Sequence, residues 1–279
     1  MQAIPEISAV ILNYKDPDLT GQCVQVLSAA FLEARVLGEI IIVDNSGPET
    51  GAELARNLGH CCEIILNGSN RGFSAACNQG IAAARAPYVL AINNDAFATA
   101  ECLSAGIAYL SGNPDTGIWA PGLVFGNGQF QPSTGRTPTL ATHFAEYLLP
   151  ARFSARPDPS QEICRDVDTV TGAFMLFRKE AFDRVRGFDE DFFFTVEDID
   201  LCVRMHECGF RVVYDPGIRV VHLGGSSQSW KWNHDPHLHK SRILYFSKRH
   251  GPLTGSLARI IVEAGLGLRK LMARERDEP

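Results

Sequence analysis

Two acidic features of the sequence have residue types and spacing that could support chemistry. The first is Asp95, which follows asparagines at positions 93 and 94. A carboxylate flanked by amides can bind Mg²⁺ or Mn²⁺, with diphosphate oxygens and water filling the remaining coordination positions. The second is the segment from Asp189 to Asp200, which carries six carboxylates and three consecutive phenylalanines. A solvated acidic surface would not normally include such an aromatic run, so this segment is a second candidate site.

Glu197 and Asp198 are the candidate catalytic residues of the acidic segment. They stand just before a helix predicted over Ile199–Cys208, where the helix dipole favours negative charge. A carboxylate in that place can accept a proton from a hydroxyl group if its geometry and pKa are suitable. The alternative is a helix N-terminus with capping acids. His222 is a weaker candidate, because a single histidine at the end of an apolar strand is more often structural than a ligand.

The elements that must position these residues follow an α/β pattern. In the first half of the chain, short apolar runs rich in β-branched residues alternate with segments of helical periodicity. We expect strands over Ile7–Asn13, Glu39–Asn45, Cys62–Leu66 and Tyr88–Ile92, and helices over Leu19–Leu37, Thr50–Leu58 and Phe73–Arg85. This alternation predicts a mainly parallel central sheet with helices on both faces.

Three of the predicted strands end in polar side chains. The strand ends carry Asn13, Asp44 with Asn45, and Asn94 with Asp95. Ligands of a parallel α/β sheet bind at the carboxyl ends of its strands, so these side chains are expected to line one crevice. The alternative for each residue is capping of the helix that follows.

The loops after the strands lack the usual phosphate-binding motifs. The segment Asn13–Pro17 follows the first strand in place of G-x-G-x-x-G, and the chain contains no G-x-x-x-x-G-K-[ST] loop. The phosphates of a bound nucleotide must then be held in another way, and a divalent metal ion is the usual substitute.

The sequence predicts that the chain is divided into a main domain and a C-terminal extension. Residues 1–225 form the main domain, in which the proline-rich segment 121–168 is expected to be irregular, as a functional insertion or flap. Residues 226–279 form a C-terminal helical extension, whose last helix is predicted over Leu257–Met272. Trp230 and Trp232 of this extension could stack on a ligand or pack in a core.

Composition limits the functional classes. Of the 279 residues, 45% are apolar and 21% are charged, as in ordinary globular proteins, and the net charge of −6 argues against a nucleic-acid-binding protein. None of the eight cysteines forms a C-x-x-C pair, and we expect buried, reduced thiols. The N-terminal residues lack a signal-peptide pattern and no stretch is apolar for long enough to span a bilayer, so a cytoplasmic protein is expected.

In their order along the chain, these motifs resemble those of the inverting family 2 of nucleotide-sugar glycosyltransferases, which have the GT-A fold, and within it the bacterial rhamnosyltransferase-like members. The resemblance covers about residues 7–225. The matching segments are Val10–Tyr14, Ile42–Ser46, Asn70–Phe73, Cys77–Gly80, Asn93–Asp95, Thr171–Leu176, Gly187–Glu190, Glu197–Asp200 and His222.

The resemblance implies a donor site at the strand ends. Asp44 and Asn13 would contact the base or ribose of the nucleotide, and Arg71 with Asn78 would line the region of the diphosphate and sugar. The donor contacts expected in all are Asn13, Asp44, Asn45, Arg71, Asn78 and Asn94.

The resemblance also implies a metal site and a catalytic pair. Asp95 matches the last acid of the family's D-x-D-type motif, in which this chain has asparagine at the first acidic position, and His222 matches a histidine that completes the site. The cofactor expected there is Mg²⁺ or Mn²⁺. Asp198 matches the general base of the family's E-D motif, with Glu197 beside it.

The activity implied is inverting transfer of a sugar to an acceptor hydroxyl. dTDP-rhamnose is the first expectation for the donor and a UDP-sugar the second, and the acceptor is expected to be a glycan or lipid-linked saccharide of cell-surface polysaccharide synthesis. Residues 121–168 would lie on the acceptor side. The alternative is a catalytically weak nucleotide-sugar or glycan-binding module. The terminal helix could contact the inner face of a membrane, the protein's own domain or a second subunit in a homodimer.

Overall fold

The computed structural model describes residues 3–149, 163–224 and 236–277. Its strands, in chain order β1 to β12, are Ile7–Asn13, Gly38–Asp44, Glu63–Leu66, Tyr88–Asn93, Ala96–Phe97, Thr116–Val124, Phe130–Gln131, Thr134–Gly135, Arg165–Asp166, Thr169–Val170, Phe174–Arg178 and Arg211–His222. Its helices, in chain order α1 to α9, are Pro17–Ala34, Pro48–Leu58, Phe73–Ala83, Ala100–Gly112, Leu140–Leu148, Lys179–Arg184, Glu197–Glu207, Pro236–His250 and Pro252–Asp277.

The amino-terminal half of the central sheet is parallel, in the order β3-β2-β1-β4. The chain runs outward from β1 to β3 and then crosses to β4 on the other side of β1, so the strand order reverses at β1. The register aligns Asn13 with Asp44, and Leu12 with Asn93. The polar strand ends predicted from the sequence therefore lie at one edge of the sheet, where the ligands of such folds bind.

The other half of the sheet is mixed. Strand β11 pairs antiparallel with both β4 and β6, and β12 runs parallel to β6. Strand β6 is buried along nearly its whole length and was not predicted, because Pro121 within it resembles the start of an irregular region. Strand β12 is irregular between Asp215 and Arg219, opposite Pro121, and a proline is tolerated at such a bulge because it has no N–H to donate. The predicted α/β fold with a mainly parallel sheet is confirmed.

Residues 121–168 contain more regular structure than the irregular segment that was expected. They include the end of β6, the short strands β7, β8 and β9, and helix α5. The Thr139 hydroxyl accepts a hydrogen bond from the backbone N–H of Thr142 at 3.1 Å and so caps the start of α5. Helix α5 in turn packs against α9, which connects this segment to the C-terminal extension.

The C-terminal helical extension is confirmed, and its described residues, 236–277, form two helices. The predicted helix over Leu257–Met272 lies within α9, whereas α8 was not predicted. Buried side chains of both helices join two residues of the acidic segment in one apolar cluster, formed by Phe192, Val196, Leu238, Tyr245, Phe246 and Ala258. Trp230 and Trp232 lie outside the described residues. In the described part of the chain, no helix has the length and apolarity needed to cross a membrane.

All eight cysteines are free. Cys23, Cys77, Cys102 and Cys202 are buried, as expected, and burial raises the pKa of the Cys23 thiol to about 12. The expectation of buried thiols is wrong for Cys61 and Cys208, which are exposed.

Candidate active site

The carboxyl ends of β1 and β2 hold a buried hydrogen-bond network. Asn13 Nδ2 donates to Asp44 Oδ1 at 2.6 Å and to Ser46 Oγ at 3.0 Å, and Asn13 Oδ1 accepts from Thr20 Oγ1 at 2.7 Å. Asp44 is fully buried, and its Oδ2 has no hydrogen-bond partner among the described residues. Buried polar atoms are normally hydrogen-bonded, and a bound N–H or O–H donor would satisfy this one. Asp44 and Asn13 therefore lie together, as expected.

Asn45 belongs to a neighbouring network that holds the loop before α3. Its Nδ2 donates to the Gly72 carbonyl at 3.0 Å, and its Oδ1 accepts from Asn67 Nδ2 at 2.8 Å. Because both polar atoms of the side chain are engaged within the protein, the donor contact expected from Asn45 would require one of these bonds to be exchanged. In the structure, Asn45 positions the α3 loop.

Asn78 fastens α3 to the start of the acidic segment. Its Nδ2 donates to the Phe188 carbonyl at 2.9 Å and to Glu190 Oε1 at 3.0 Å, and its Oδ1 accepts from the Phe188 N–H at 2.9 Å. These three bonds occupy the amide, so the role that the structure supports for Asn78 is to position the acidic segment beside the crevice.

Arg71 and Asn94 present groups toward solvent at the crevice. Arg71 is exposed just before α3, and its guanidinium makes no hydrogen bond or ion pair with the described residues. An unneutralised guanidinium near a helix N-terminus is suited to an anionic diphosphate. Asn94 Nδ2 donates to Thr20 Oγ1 at 3.1 Å, which connects it to the Asn13 network.

Asp95 and His222, the predicted metal ligands, are brought into contact although they are distant in sequence. Both side chains are buried, and His222 Nε2 lies 3.2 Å from Asp95 Oδ1. Strand β5, next to Asp95, pairs with the end of β12 and so brings His222 to this point. On its other side, His222 Nδ1 lies 2.9 Å from Gln131 Oε1 of β7. Gln131 was not predicted, because its position depends on the pairing of β7 with β6.

The Asp95–His222 pair has the chemistry and spacing of two ligands of one divalent cation. Ligands about 2.1 Å from an ion and at right angles to each other lie about 3 Å apart. If Nδ1–H of His222 donates to Gln131, the lone pair of Nε2 is left for the cation, which is the usual way in which such a histidine is oriented. Among the described residues, no third histidine, cysteine or acid joins the pair, so the other ligands would come from diphosphate and water.

A short turn connects the candidate metal ligands, Asp95 and His222, to the candidate catalytic pair, Glu197 and Asp198. The Gly172 N–H donates to Asp198 Oδ2 at 2.9 Å, and the next residue, Ala173, accepts at its carbonyl from the Asn93 N–H at 3.0 Å. The end of β4 and the start of α7 are thereby held to adjacent residues of the turn before β11. This is the contact that places Asp198 beside the Asn93–Asp95 segment.

Glu197 and Asp198 have different environments at the start of α7. Asp198 is half-buried, and besides the Gly172 bond its Oδ1 accepts from the Ile199 N–H at 2.8 Å. Burial raises the pKa of Asp198, although the backbone bonds from Gly172 and Ile199 act to lower it. Glu197 is 5% exposed, and burial, with the neighbouring Asp198 charge, raises its pKa well above the usual range. Asp198 is therefore the better placed of the two to accept a proton, and Glu197 is a buried carboxyl group whose raised pKa favours the protonated form.

We expect Glu197→Gln to stabilise the protein more at pH 8 than at pH 5. With a raised pKa, the folded protein keeps a proton on Glu197 that the unfolded chain releases above its own pKa near 4.5. The wild type therefore loses stability as the pH rises, on the order of 1.4 kcal/mol per pH unit until the folded pKa is reached, whereas glutamine has no such dependence. Urea unfolding at both pH values measures the difference.

Glu180→Gln, on the exposed surface of α6, is the control for removing one negative charge. A Glu197→Gln effect of the same size at both pH values would contradict a protonated Glu197.

Three other acids of the acidic segment are held by basic residues. Lys248 Nζ lies 2.5 Å from both Asp189 Oδ2 and Asp191 Oδ2, and Asp200 pairs with Arg204 at 2.7 Å and with Arg249 at 3.4 Å. Lys248 and Arg249 of α8 were not predicted to contact this segment. The ion pairs account for three of the six acids, and Glu190 accepts a hydrogen bond from Asn78, which leaves Glu197 and Asp198 as the catalytic candidates.

The site combines strand ends that can hold a nucleotide, a pair of candidate metal ligands and a candidate proton acceptor. An enzyme of the GT-A class needs these features in order to transfer a sugar from a nucleotide donor. The class agrees with the sequence comparisons. The chain belongs to glycosyl transferase family 2, whose profile matches residues 8–186, and it is a glycosyltransferase. A profile described as the N-terminal domain of galactosyltransferase also matches, over residues 159–223, which include the acidic segment.

Individual relatives agree with this assignment. The chain is 27% identical to N-acetylglucosaminyl-diphospho-decaprenol L-rhamnosyltransferase of Mycobacterium tuberculosis over 262 residues, covering 84% of this chain and 83% of the relative. It is 32% identical to rhamnosyltransferase WbbL of Escherichia coli K12 over 123 residues, covering 42% and 45%. A mannosyltransferase from Pyrobaculum calidifontis, solved with GDP-Man and Mn²⁺, has the same fold, with a TM-score of 0.61 at 15% identity over 97% of this chain and 76% of that one.

Proposed function

We propose that this glycosyltransferase moves rhamnose from dTDP-rhamnose, with inversion, onto a hydroxyl group of a lipid-linked saccharide in cell-surface polysaccharide synthesis. Two rhamnosyltransferases among its relatives support the sugar, and the diphospho-decaprenol in the name of one of them supports a lipid-linked acceptor. Asp44 Oδ2, which has no hydrogen-bond partner in the part of the chain that the structure describes, is suited to accept from the imide N–H of a thymine or uracil base, so a UDP-sugar is the alternative donor.

The observation that carries this proposal is the turn at Gly172 and Ala173, which bonds to both Asp198 and Asn93. This contact supports a role for Asp198 as the proton acceptor, beside the strand end at which a diphosphate would be held. In the transfer, the acceptor oxygen bonds to the anomeric carbon as the bond from that carbon to the diphosphate breaks. The bonding electrons leave with the diphosphate, and the hydroxyl proton moves to Asp198. Attack opposite the leaving group inverts the anomeric centre.

We assign Asp95 and His222 as the protein ligands of a divalent cation, Mg²⁺ or Mn²⁺. Their 3.2 Å contact and the orientation of His222 by Gln131 fit such an ion. Two solved structures of this fold contain Mn²⁺ by description, the mannosyltransferase and GalNAc-T7, the latter with a TM-score of 0.62 at 13% identity over 95% of this chain and 55% of that one. A bound cation would stabilise the negative charge of the departing diphosphate.

For the lipid-linked acceptor, we propose that α9 contacts the membrane surface. Its exposed apolar residues recur at helical spacing and form one face: Leu253, Leu257, Ile260 and Leu268. Such a face can lie at the boundary of the lipid headgroups. A homodimer through the same face is the alternative. Flotation of the protein with anionic vesicles would support the membrane contact. A dimer in sedimentation experiments, with no binding to the vesicles, would support the alternative.

A panel of nucleoside diphosphates and nucleotide sugars tests the donor. We expect dTDP and dTDP-rhamnose with Mn²⁺ to raise the melting temperature more than GDP or GDP-sugars do. We also expect transfer from dTDP-rhamnose to an N-acetylglucosaminyl diphospho-lipid, with an inverted anomeric configuration of the product by NMR. A preference for UDP-sugars would contradict dTDP-rhamnose as the donor and would favour the alternative, a UDP-sugar. Donor binding without turnover for every donor and acceptor pair would favour a nucleotide-sugar-binding module.

A further inference from the structure

The turn in front of the catalytic pair has an unfavourable backbone conformation. Thr195 and Val196 have φ angles of 67° and 73°, in the left-handed region that β-branched residues rarely adopt. Val196 is the residue before the first turn of α7, and its side chain cannot cap the helix. The Thr195 hydroxyl is also buried without a hydrogen-bond partner among the described residues. Local preferences oppose this turn, so surrounding contacts must hold it.

Helix α8 of the C-terminal extension supplies contacts on one side of the turn. The hydroxyl of Ser241, which is buried, donates to the Phe194 carbonyl at 3.0 Å. Val196 packs in the same apolar cluster as Leu238 and Phe246 of α8. The ion pairs of Lys248 and Arg249 attach the C-terminal end of the same helix to the acidic segment before and after the turn.

Helix α3 supplies contacts on the other side. The Phe73 N–H donates to the Phe193 carbonyl at 2.8 Å, and Ser74 Oγ donates to the Phe192 carbonyl at 2.7 Å. A Cβ atom on Gly72, which has a φ of 85°, would lie 2.6 Å from the Phe193 carbonyl oxygen, so the two backbones are in close contact. The turn is held between α3, at the donor crevice, and α8.

We propose that α8 holds the turn at Thr195 and Val196 in its left-handed conformation and so braces the catalytic pair. Ser241 is a positioning residue that acts on Asp198 through the Phe194 carbonyl. The proposal rests on the proposed role of Asp198 as the base. It gives the C-terminal extension a part in building the active site, in addition to any contact with acceptor or membrane. Without the Ser241 bond, the turn loses one of the contacts that hold it in the left-handed conformation, and we expect Asp198 at its end to shift with it.

The test is Ser241→Ala, with Ser247→Ala as the matched control. Ser247 is on the same helix but lies against Gly255 of α9. We expect Ser241→Ala to lower kcat about 10-fold, while the KM for the donor and the affinity for nucleoside diphosphate stay unchanged. A displacement near 1 Å costs about 100-fold, and the shift should be smaller here because the other contacts of the turn remain. Hydrogen exchange of residues 193–199 should become faster in the same variant. Ser247→Ala should change neither measurement.

A second substitution separates bracing from general destabilisation. Thr195→Gly removes the steric cost of the left-handed conformation at one of the two positions of the turn, so Ser241→Ala should lower kcat less in that background than in the wild type. An unchanged kcat and unchanged exchange in Ser241→Ala would overturn the proposal, as would an equal loss in both backgrounds. If the wild type transfers no sugar, the proposed function fails, and the exchange comparison still decides whether α8 braces the turn.

Discussion

Asp198→Asn is expected to reduce sugar transfer about 1,000-fold while nucleoside diphosphate binding stays at the wild-type level, because general base catalysis contributes about 10²–10⁴-fold to rates. Asparagine has the shape of aspartate but cannot accept the acceptor's proton. The Asp198 carboxylate accepts hydrogen bonds from the N–H groups of Gly172 and Ile199. Neither bond involves the Asp44 network at the other side of the crevice. Initial rates of transfer and calorimetric titration with nucleotide measure the two quantities.

The pH dependence of transfer provides a further check on Asp198. Its carboxylate must be ionised to act as a base, and burial raises its pKa above the usual range for aspartate. The wild-type rate should therefore fall as the pH decreases through this raised pKa, whereas the residual rate of Asp198→Asn should not follow the same curve.

Asp115→Asn is the matched control for Asp198→Asn, since Asp115 is an exposed acid that pairs with Arg211 away from the crevice. We expect wild-type transfer from it. If Asp198→Asn retained more than about a tenth of the wild-type rate, Asp198 would not be the base, because the loss would lie below the contribution expected of one.

Asp95→Ala is expected to abolish the increase in nucleoside diphosphate affinity that Mn²⁺ produces in the wild type. Asp95 and His222 are the two candidate ligands in contact, and removal of one leaves a single histidine. The loss should be at least about 100-fold in coupled affinity, because even changes behind the ligands cost about 10–100-fold. Without metal, the variant should bind the nucleotide as well as the wild type or slightly better, since a negative charge near the diphosphate has been removed.

Titration of nucleotide at several fixed Mn²⁺ concentrations separates the metal effect from direct binding. Asp183→Ala, which removes an exposed acid paired with Lys179 on α6, is the control for the charge change. Full coupling in Asp95→Ala would remove Asp95 from the metal site and would leave the diphosphate to be held by groups such as Arg71.

Much of the donor side could be predicted because its signals are local. The strand Ile7–Asn13 was predicted with the bounds that β1 has, and Asp44 ends β2 as expected. Short β-branched runs form strands whose direction in a parallel sheet places their polar ends at one edge, so Asn13, Asp44 and Asp95 could be grouped before any contact was known.

The use of individual side chains could not be predicted in the same way. Asn45 and Asn78 have the residue types of donor ligands, but the structure engages their amides in holding the α3 loop and the acidic segment. Three of these four bonds are to backbone groups, which carry no sequence signal. Strand β6 and helix α8 were missed because proline within β6 and the weak periodicity of α8 give no clear local pattern.

The sequence by itself determined the class of chemistry, through ordered strand ends, the acid Asp95 and an acidic helix start. The resemblance implied Asp198 as the base, but only the tertiary structure shows that Glu197 is buried while Asp198 is half-buried. Adjacent helical residues point about 100° apart, so one side chain is buried while the other remains accessible. The left-handed turn at Val196 sets the direction in which α7 begins, and distant parts of the chain, α3 and α8, hold that turn.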